Sequence, residues 1–429
     1  MSVLLINNHS LLNAGDHAIL RETLRMLHAA MPGAQVELVF NDTESACAAL
    51  PGYSIHAAPL SWAAPLQPDG QYRFVGMWRR RLYLLLLLLA GLCYRLTRLV
   101  PPLFLDARKR ALLRAFARAD LVLACGGGYI YAPGPGDGLS GWFGFMLAGC
   151  ALAVLMGKPL VLLPQSIGPL HDTFQLRAAR LIVRGARLTC VRERQSLALL
   201  HELGCAERVL LLPDMAFGAD SAATAAARAV LQHAGCFTLD APFYVGITAL
   251  NWSGQSFTFQ GQQAYEAALL GTIDALTAQA GAVVLFAQCC GPSQAEDDRV
   301  VAARLRVRAA HPERVLLVRE SLPPDTLQAA YGEMDYFIGT RMHSVILALN
   351  AGTPALAIGY LHKTRGVLDD LGMRERYLDI ATITADELVG AFDRLRAAPQ
   401  PQDVALYLAQ ARRRKLALGA MLRAMVPEA

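Results

Sequence analysis

Short apolar runs bounded by turn residues alternate along this chain with longer stretches of helical character, and that rhythm constrains the fold more than any other feature. Residues 3–7, 35–40, 121–125, 159–163 and 187–191 are such runs, and residues 18–30, 108–119, 143–156 and 173–186 are the helical stretches between them. Strands alternating with helices predict a parallel sheet with helices on both faces. The rhythm breaks between Phe217 and Ala241, where Gly218-Ala219-Asp220-Ser221 opens an alanine-rich segment ending at Asp240-Ala241-Pro242. It restarts with apolar runs at 243–248, 282–286, 315–318, 336–338 and 355–358, each followed by a helix candidate. A chain of 429 residues exceeds what one hydrophobic core sustains, so two domains are expected. The expected architecture is α/β, with two doubly wound, Rossmann-like domains facing a cleft. The first spans 1–225 with an apolar insert at 79–100, the second spans 240–400, and a C-terminal helix occupies 401–429.

The composition narrows the function classes. It is 54% hydrophobic and 17% charged, with a mean hydropathy of +0.32, yet it lacks the repeated long apolar runs of a polytopic membrane protein. A formal charge of +5, from arginines spread along the chain, does not indicate a nucleic-acid footprint and suits anionic small ligands or an anionic membrane surface. Lysine is rare, so the retained Lys109, Lys158, Lys363 and Lys415 draw attention. Nine cysteines without a CxxC pair give neither a zinc site nor a disulfide framework. No metal and no cofactor are expected, and a reducing cytoplasm is the expected compartment. Residues 1–7 carry no basic n-region and run directly into a strand pattern, which argues against a signal peptide.

One segment stands apart. Arg79-Arg80-Arg81 precedes apolar residues from Leu82 to Tyr94, six of them consecutive leucines, and Arg95 and Arg98 follow. The run is shorter than the roughly 20 residues a bilayer span needs. A helix lying at an anionic interface, with arginine stems snorkelling, and a buried core helix both remain open.

In open α/β sheets ligands bind beyond the carboxyl ends of strands, so the loops that follow strands carry the chemistry. Asn7 to Asp16 is the first such loop: Asn13 and Gly15 permit a tight turn, and Asp16 serves either as the cap of the next helix or as a hydrogen-bond acceptor or base in the cleft. Gly126-Gly127-Gly128, after the run ending at Cys125, would let backbone amides approach a ligand or let backbone pack on backbone. Gln165 and Ser166 follow the next strand, and Arg192 closes another, as an anion fork or as the partner of Glu193 or a neighbour. In the second half, Gly339-Thr340-Arg341-Met342-His343-Ser344 sets a guanidinium and an imidazole two residues apart where a strand passes into a helix, a place already favourable to anions. Lys363 follows the next strand end, so that Arg341, His343 and Lys363 are expected to converge with Arg192 from the opposite domain.

These residues, taken in order, resemble the polysaccharide pyruvyltransferase family over nearly the whole chain. The resemblance rests on Asn13-Ala14-Gly15-Asp16-His17-Ala18-Ile19, Gly126-Gly127-Gly128, Gln165-Ser166-Ile167-Gly168-Pro169, Val191-Arg192-Glu193 with Ser196 and Gly204, Asp214, Arg341-Met342-His343, and Tyr360-Leu361-His362-Lys363 with Gly366. Two departures stand out: Glu193 occupies a position where the family often has Asp, and the leucine run is no family signature. The resemblance implies two domains related in architecture to GT-B glycosyltransferases. It further implies transfer of pyruvate from phosphoenolpyruvate to a sugar as a ketal, with Arg341 and His343 holding the donor and Arg192 as a second cation. The first domain would take the acceptor, a sugar of a cell-surface polysaccharide or a polyprenyl-linked precursor, at the inner face of the plasma membrane. His343 and Asp16 are the candidate acid–base residues. Two alternatives are a GT-B-type glycosyltransferase using a nucleotide sugar and a non-catalytic scaffold for polysaccharide assembly. The retained set Arg192, Arg341, His343 and Lys363 argues against a scaffold.

Overall fold

The computed structural model describes residues 1–104, 106–221, 223–253, 255, 259–360, 362–398 and 402–426. They form two compact units. The first comprises Met1–Leu11, Ile19–Met215 and Arg413–Ala429, and the second Leu12–Ala18 and Ala216–Arg412. The short segment Leu12–Ala18 thus packs with the second half of the chain, and the long last helix, Gln402–Ala424, divides between the units at Arg412 and Arg413. The alanine-rich stretch at the sequence break belongs to the second unit, where its helix Thr224–His233 packs on Pro324–Gly332 and Arg228 pairs with Glu333 at 2.9 Å.

In the first unit the strands are β1 (Ser2–Asn8), β2 (Gln35–Phe40), β3 (Ser54–Ala57), β4 (Leu121–Ala124), β5 (Gly127–Ile130), β6 (Leu160–Ile167), β7 (Leu188–Val191) and β8 (Val209–Leu211). They pair in the order β3-β2-β1-β4-β6-β7-β8, with β5 beside β6, and every pairing is parallel. β4 and β6 are buried along their whole length, as a parallel strand covered on both faces must be. Leu4, Ile6, Val122 and Leu162 from the sheet meet Phe116 and Phe143 from the covering helices in one core. The helix Trp142–Met156 shows no amphipathic stripe because it is buried on nearly every side.

The second unit has β9 (Tyr244–Thr248), β10 (Ala282–Phe286), β11 (Val315–Val318), β12 (Tyr336–Gly339), β13 (Ala355–Gly359) and β14 (Tyr377–Asp379), in the order β11-β10-β9-β12-β13-β14, again all parallel. Gly246 faces Phe337 across the β9–β12 pairing, and a Cβ there would lie 2.6 Å from the Phe337 ring, so only glycine admits that ring between the strands. Strand order runs one way from β9 through β10 to β11 and the other way from β12 through β13 to β14. The reversal between β9 and β12 is where such a sheet opens a crevice at its carboxyl edge.

The short run from Leu82 onward is part of the helix Met77–Thr97. Leu87, Ala90, Gly91 and Tyr94 are its buried face, and most of its other leucines are exposed.

Candidate active site

At the reversal in the second sheet, β9 ends at Thr248 and β12 ends at Gly339. The Thr248 hydroxyl accepts from the amide of Thr340 at 3.1 Å and bonds the Ser344 hydroxyl at 2.8 Å, which ties the ends of the two strands together. Arg341 caps the helix Met342–Asn350 with extended backbone, and Ser344 donates to the Arg341 carbonyl at 2.6 Å. His343 therefore lies in the first helical turn, beside amides that have no carbonyl partner within the helix.

Leu12–Ala18 lies against this turn. Its backbone pairs with the segment after β10: Ala14 donates to the Gln288 carbonyl at 2.9 Å, Cys290 to that of Leu12 at 2.9 Å, and Asn13 bridges Cys289 in antiparallel fashion. The helix begins at Ala14, ahead of the helical stretch expected from residue 18, and the Asn13 side chain accepts from the Gly15 amide at 3.0 Å. The capping role expected of Asp16 thus falls to Asn13, and Asp16 sits within the first turn. Gly15 is buried against His343, whose ring atoms would lie 2.4–2.8 Å from a Cβ at that position. Two helix N-termini, carrying Asp16 and His343, meet in one unit, and their partial positive ends add.

Arg341 is 7% exposed, and its guanidinium forks onto Asp298: Nε donates at 2.8 and 3.1 Å and Nη2 at 2.7 Å, with Nη2 also donating to the Glu296 carbonyl at 3.3 Å. The amide of Cys289 donates to the same carboxylate at 2.9 Å. Burial opposes the Arg341 charge, but Asp298 outweighs it and holds the guanidinium protonated. Burial likewise pushes the carboxyl of Asp298 up, against the pull of Arg341. Most of the Arg341 charge is therefore matched by an internal carboxylate. Tyr360, after β13, is pushed up by burial, opposed by Arg341. Lys363 lies in the helix His362–Asp370, with its side chain outside the described residues.

The other expected site residues lie in the first unit. Gly127 and Gly128 begin β5 instead of forming an open loop, and a Cβ on Gly126 would sit 2.6 Å from the Pro164 carbonyl, so close backbone packing explains that glycine. Gln165 and Ser166 are inside β6, because that strand runs past Pro164 to Ile167. Arg192 has a fully buried side chain. Its Nη1 pairs with Asp214 and its Nε donates to Ser166 at 2.9 Å, while Ser166 donates to Glu193 at 2.9 Å. Glu193 also accepts from Ser196, so its extra methylene relative to Asp is used to reach two hydroxyls. Arg192 Nη2 and both ends of the Gln165 amide are buried with no partner among the described residues. Buried donors left in this way call for a bound polar group or water.

Sequence reasoning gave Asp298 and Gln288 no role at the second-unit site and named Tyr360 only among the residues of the resemblance. The signal available was Glu296-Asp297-Asp298, three acids after a strand-end loop in an arginine-rich chain.

Comparison with known proteins agrees with this architecture. The amylovoran biosynthesis protein AmsJ of Erwinia amylovora is 26% identical over 413 residues, covering 91% of this chain and 90% of that protein. HepE of Anabaena, solved in complex with UDP-glucose, has a TM-score of 0.54 at 14% identity, over 99% of this chain and 98% of its own. The spinosyn rhamnosyltransferase SpnG has a TM-score of 0.53 at 14% identity, over 99% of each chain. These structures assign the fold to the GT-B class. The polysaccharide pyruvyl transferase family matches residues 13–362, and the chain, a polysaccharide-modifying transferase, belongs to that family.

Proposed function

We propose that this protein transfers pyruvate from phosphoenolpyruvate to two hydroxyls of a sugar in a cell-surface polysaccharide or its lipid-linked precursor, forming a ketal and releasing phosphate. The observation that carries this reading is the meeting of two helix N-termini at Gly15 and His343, in a chain of this family. Phosphoenolpyruvate brings a carboxylate and a phosphate, which paired helix ends and their amides attract. Arg341, braced by Asp298, keeps a fixed positive group behind those amides, and Lys363 is the further candidate cation.

The reaction has four parts. The vinyl methylene takes a proton and becomes the ketal methyl, and one sugar hydroxyl adds to the neighbouring carbon. Phosphate leaves from that carbon, and the second hydroxyl takes its place. Of the two hydroxyl protons released, one balances the proton taken by the methylene and the other leaves with phosphate. His343 is suited to give and receive these protons, because the two ring nitrogens of an imidazole can donate and accept, and Asp16 is the second candidate. Gln165, Ser166 and Arg192 are the candidate residues of the first unit, and because their side chains are buried they would act from behind its surface rather than by direct contact with a sugar. Neither a metal nor an organic cofactor is part of the scheme.

The test is phosphate release from phosphoenolpyruvate in the presence of polyprenyl-linked and nucleotide-linked sugars. Release that depends on the acceptor, with a matching gain of a pyruvyl ketal by mass, supports the reading. Sugar transfer from a nucleotide sugar without any use of phosphoenolpyruvate would assign the site to a glycosyltransferase, and no turnover of either donor would favour a scaffold.

A further inference from the structure

The helix Met77–Thr97 has two apolar faces, and among the described residues only one of them has a protein partner. Its inner face packs on the helix Trp142–Met156, with Gly91 so near that a Cβ would lie 3.0 Å from Leu155. The outer face carries Trp78, Leu82, Leu85, Leu89, Leu92 and Leu96, with exposures of 82%, 51%, 49%, 43%, 43% and 83%. Their alternating spacing of four and three residues keeps them within about 40° of one line along the helix. Single exposed leucines are ordinary, but a continuous stripe of them marks an interaction surface.

The charges bordering the stripe identify what covers it. From Gly70 to Leu105 the sequence holds arginines at 73, 79, 80, 81, 95 and 98 and not one Asp or Glu. Arg79 and Arg81 at one end and Arg95 and Arg98 at the other are exposed. A second copy of the chain laid on this face would set arginine against arginine whether the helices ran parallel or antiparallel. A surface of anionic phosphates complements both ends at once. Among the described residues no helix is long and apolar enough to cross a membrane. At about 31 Å for 21 residues, this one is instead a long contact when laid flat.

We propose that Met77–Thr97 docks the protein on an anionic phospholipid bilayer, lying in the plane of the interface with its outer stripe among the upper acyl segments and its arginines at the phosphates. The inference rests on this helix alone and stands or falls independently of the pyruvyl-transfer reading.

The experiment is co-sedimentation of the full chain with vesicles of phosphatidylcholine alone and of phosphatidylcholine mixed with phosphatidylglycerol. Binding should require the anionic lipid and weaken as salt is raised. The triple variant Trp78→Ser, Leu82→Ser, Leu89→Ser changes only exposed positions, so it should keep the parent's circular dichroism and melting temperature while losing about tenfold or more in vesicle affinity. Leu87→Ser, which points inward, should lower the melting temperature, separating the two faces. A full chain that stays in the supernatant with anionic vesicles at low ionic strength would overturn the proposal. So would a dimer in sedimentation equilibrium that the triple variant converts to monomer without any vesicle binding by the parent, since that result assigns the stripe to a second copy.

Discussion

A Cβ placed on Gly15 would lie 2.4 Å from Nδ1 of His343, so the first turns of two helices from distant parts of the sequence meet with the His343 ring packed directly on the Gly15 backbone. Gly15→Ala would ordinarily favour a helix by about 1 kcal/mol. Here the added methyl must displace the imidazole, and overpacking of this kind costs about 1–3 kcal/mol. The clash therefore wins: the variant should be modestly destabilised and should lose turnover more than thermal stability, because the ring it moves is the proposed proton carrier. Parent-like turnover in Gly15→Ala would show that the position of the ring does not matter.

His343→Gln keeps a hydrogen-bonding side chain at the helix start but cannot exchange a proton near neutral pH. Turnover at saturating phosphoenolpyruvate should fall by roughly 10²–10⁴ with the fold retained. Steady-state kinetics together with a thermal melt separate this outcome from a purely structural role, in which the melt would move and turnover of the folded fraction would not.

Arg341→Ala leaves the carboxylate of Asp298 buried without its guanidinium, and breaking a buried pair in this way costs about 3–5 kcal/mol. A donor-binding defect measured on that variant alone would be confounded by unfolding. Arg341→Met combined with Asp298→Asn removes both charges and should recover much of the stability while donor binding stays weak. Recovery of donor affinity along with stability would confine Arg341 to a structural role.

Burial pushes the thiols of Cys150 and Cys190 up to about 12. A raised thiol pKa means the protonated, unreactive form persists from neutral pH upward until that value is approached. Iodoacetamide at neutral to mildly alkaline pH should therefore modify exposed Cys47 in the native protein and reach Cys150 and Cys190 only after denaturation. Mass mapping of labelled peptides reads this directly, and native labelling of Cys150 would contradict the packing of Trp142–Met156.

The strands of the two sheets were legible wherever burial on both faces made the sequence continuously apolar, as in β4, β6, β9 and β10. The edge strands β3, β8 and β14 were not, since each is only three or four residues long and only partly buried. β5 was hidden for another reason: Gly126-Gly127-Gly128 read as a loop, whereas Gly127 and Gly128 begin the strand and Gly126 before it packs closely on Pro164 of β6. Arg341 and His343 drew attention from their spacing alone. Their surroundings did not, because the pairing of Arg341 with Asp298 and the placement of Leu12–Ala18 beside His343 arise from contacts far apart in sequence. The apolar run from Leu82 to Tyr94 likewise marked a helix without giving its bounds or saying that Leu87 faces inward and Leu85 and Leu89 outward.

The central claim is that phosphoenolpyruvate is the donor, and transfer of label from carbon-labelled phosphoenolpyruvate tests it most directly. Incubated with the protein and a competent sugar acceptor, the label should appear in the acceptor as an acid-labile ketal, with one phosphate released for each pyruvyl group transferred, and both signals should collapse in His343→Gln. Label that never enters the acceptor, while the same acceptor gains a sugar from a nucleotide sugar, would contradict the account.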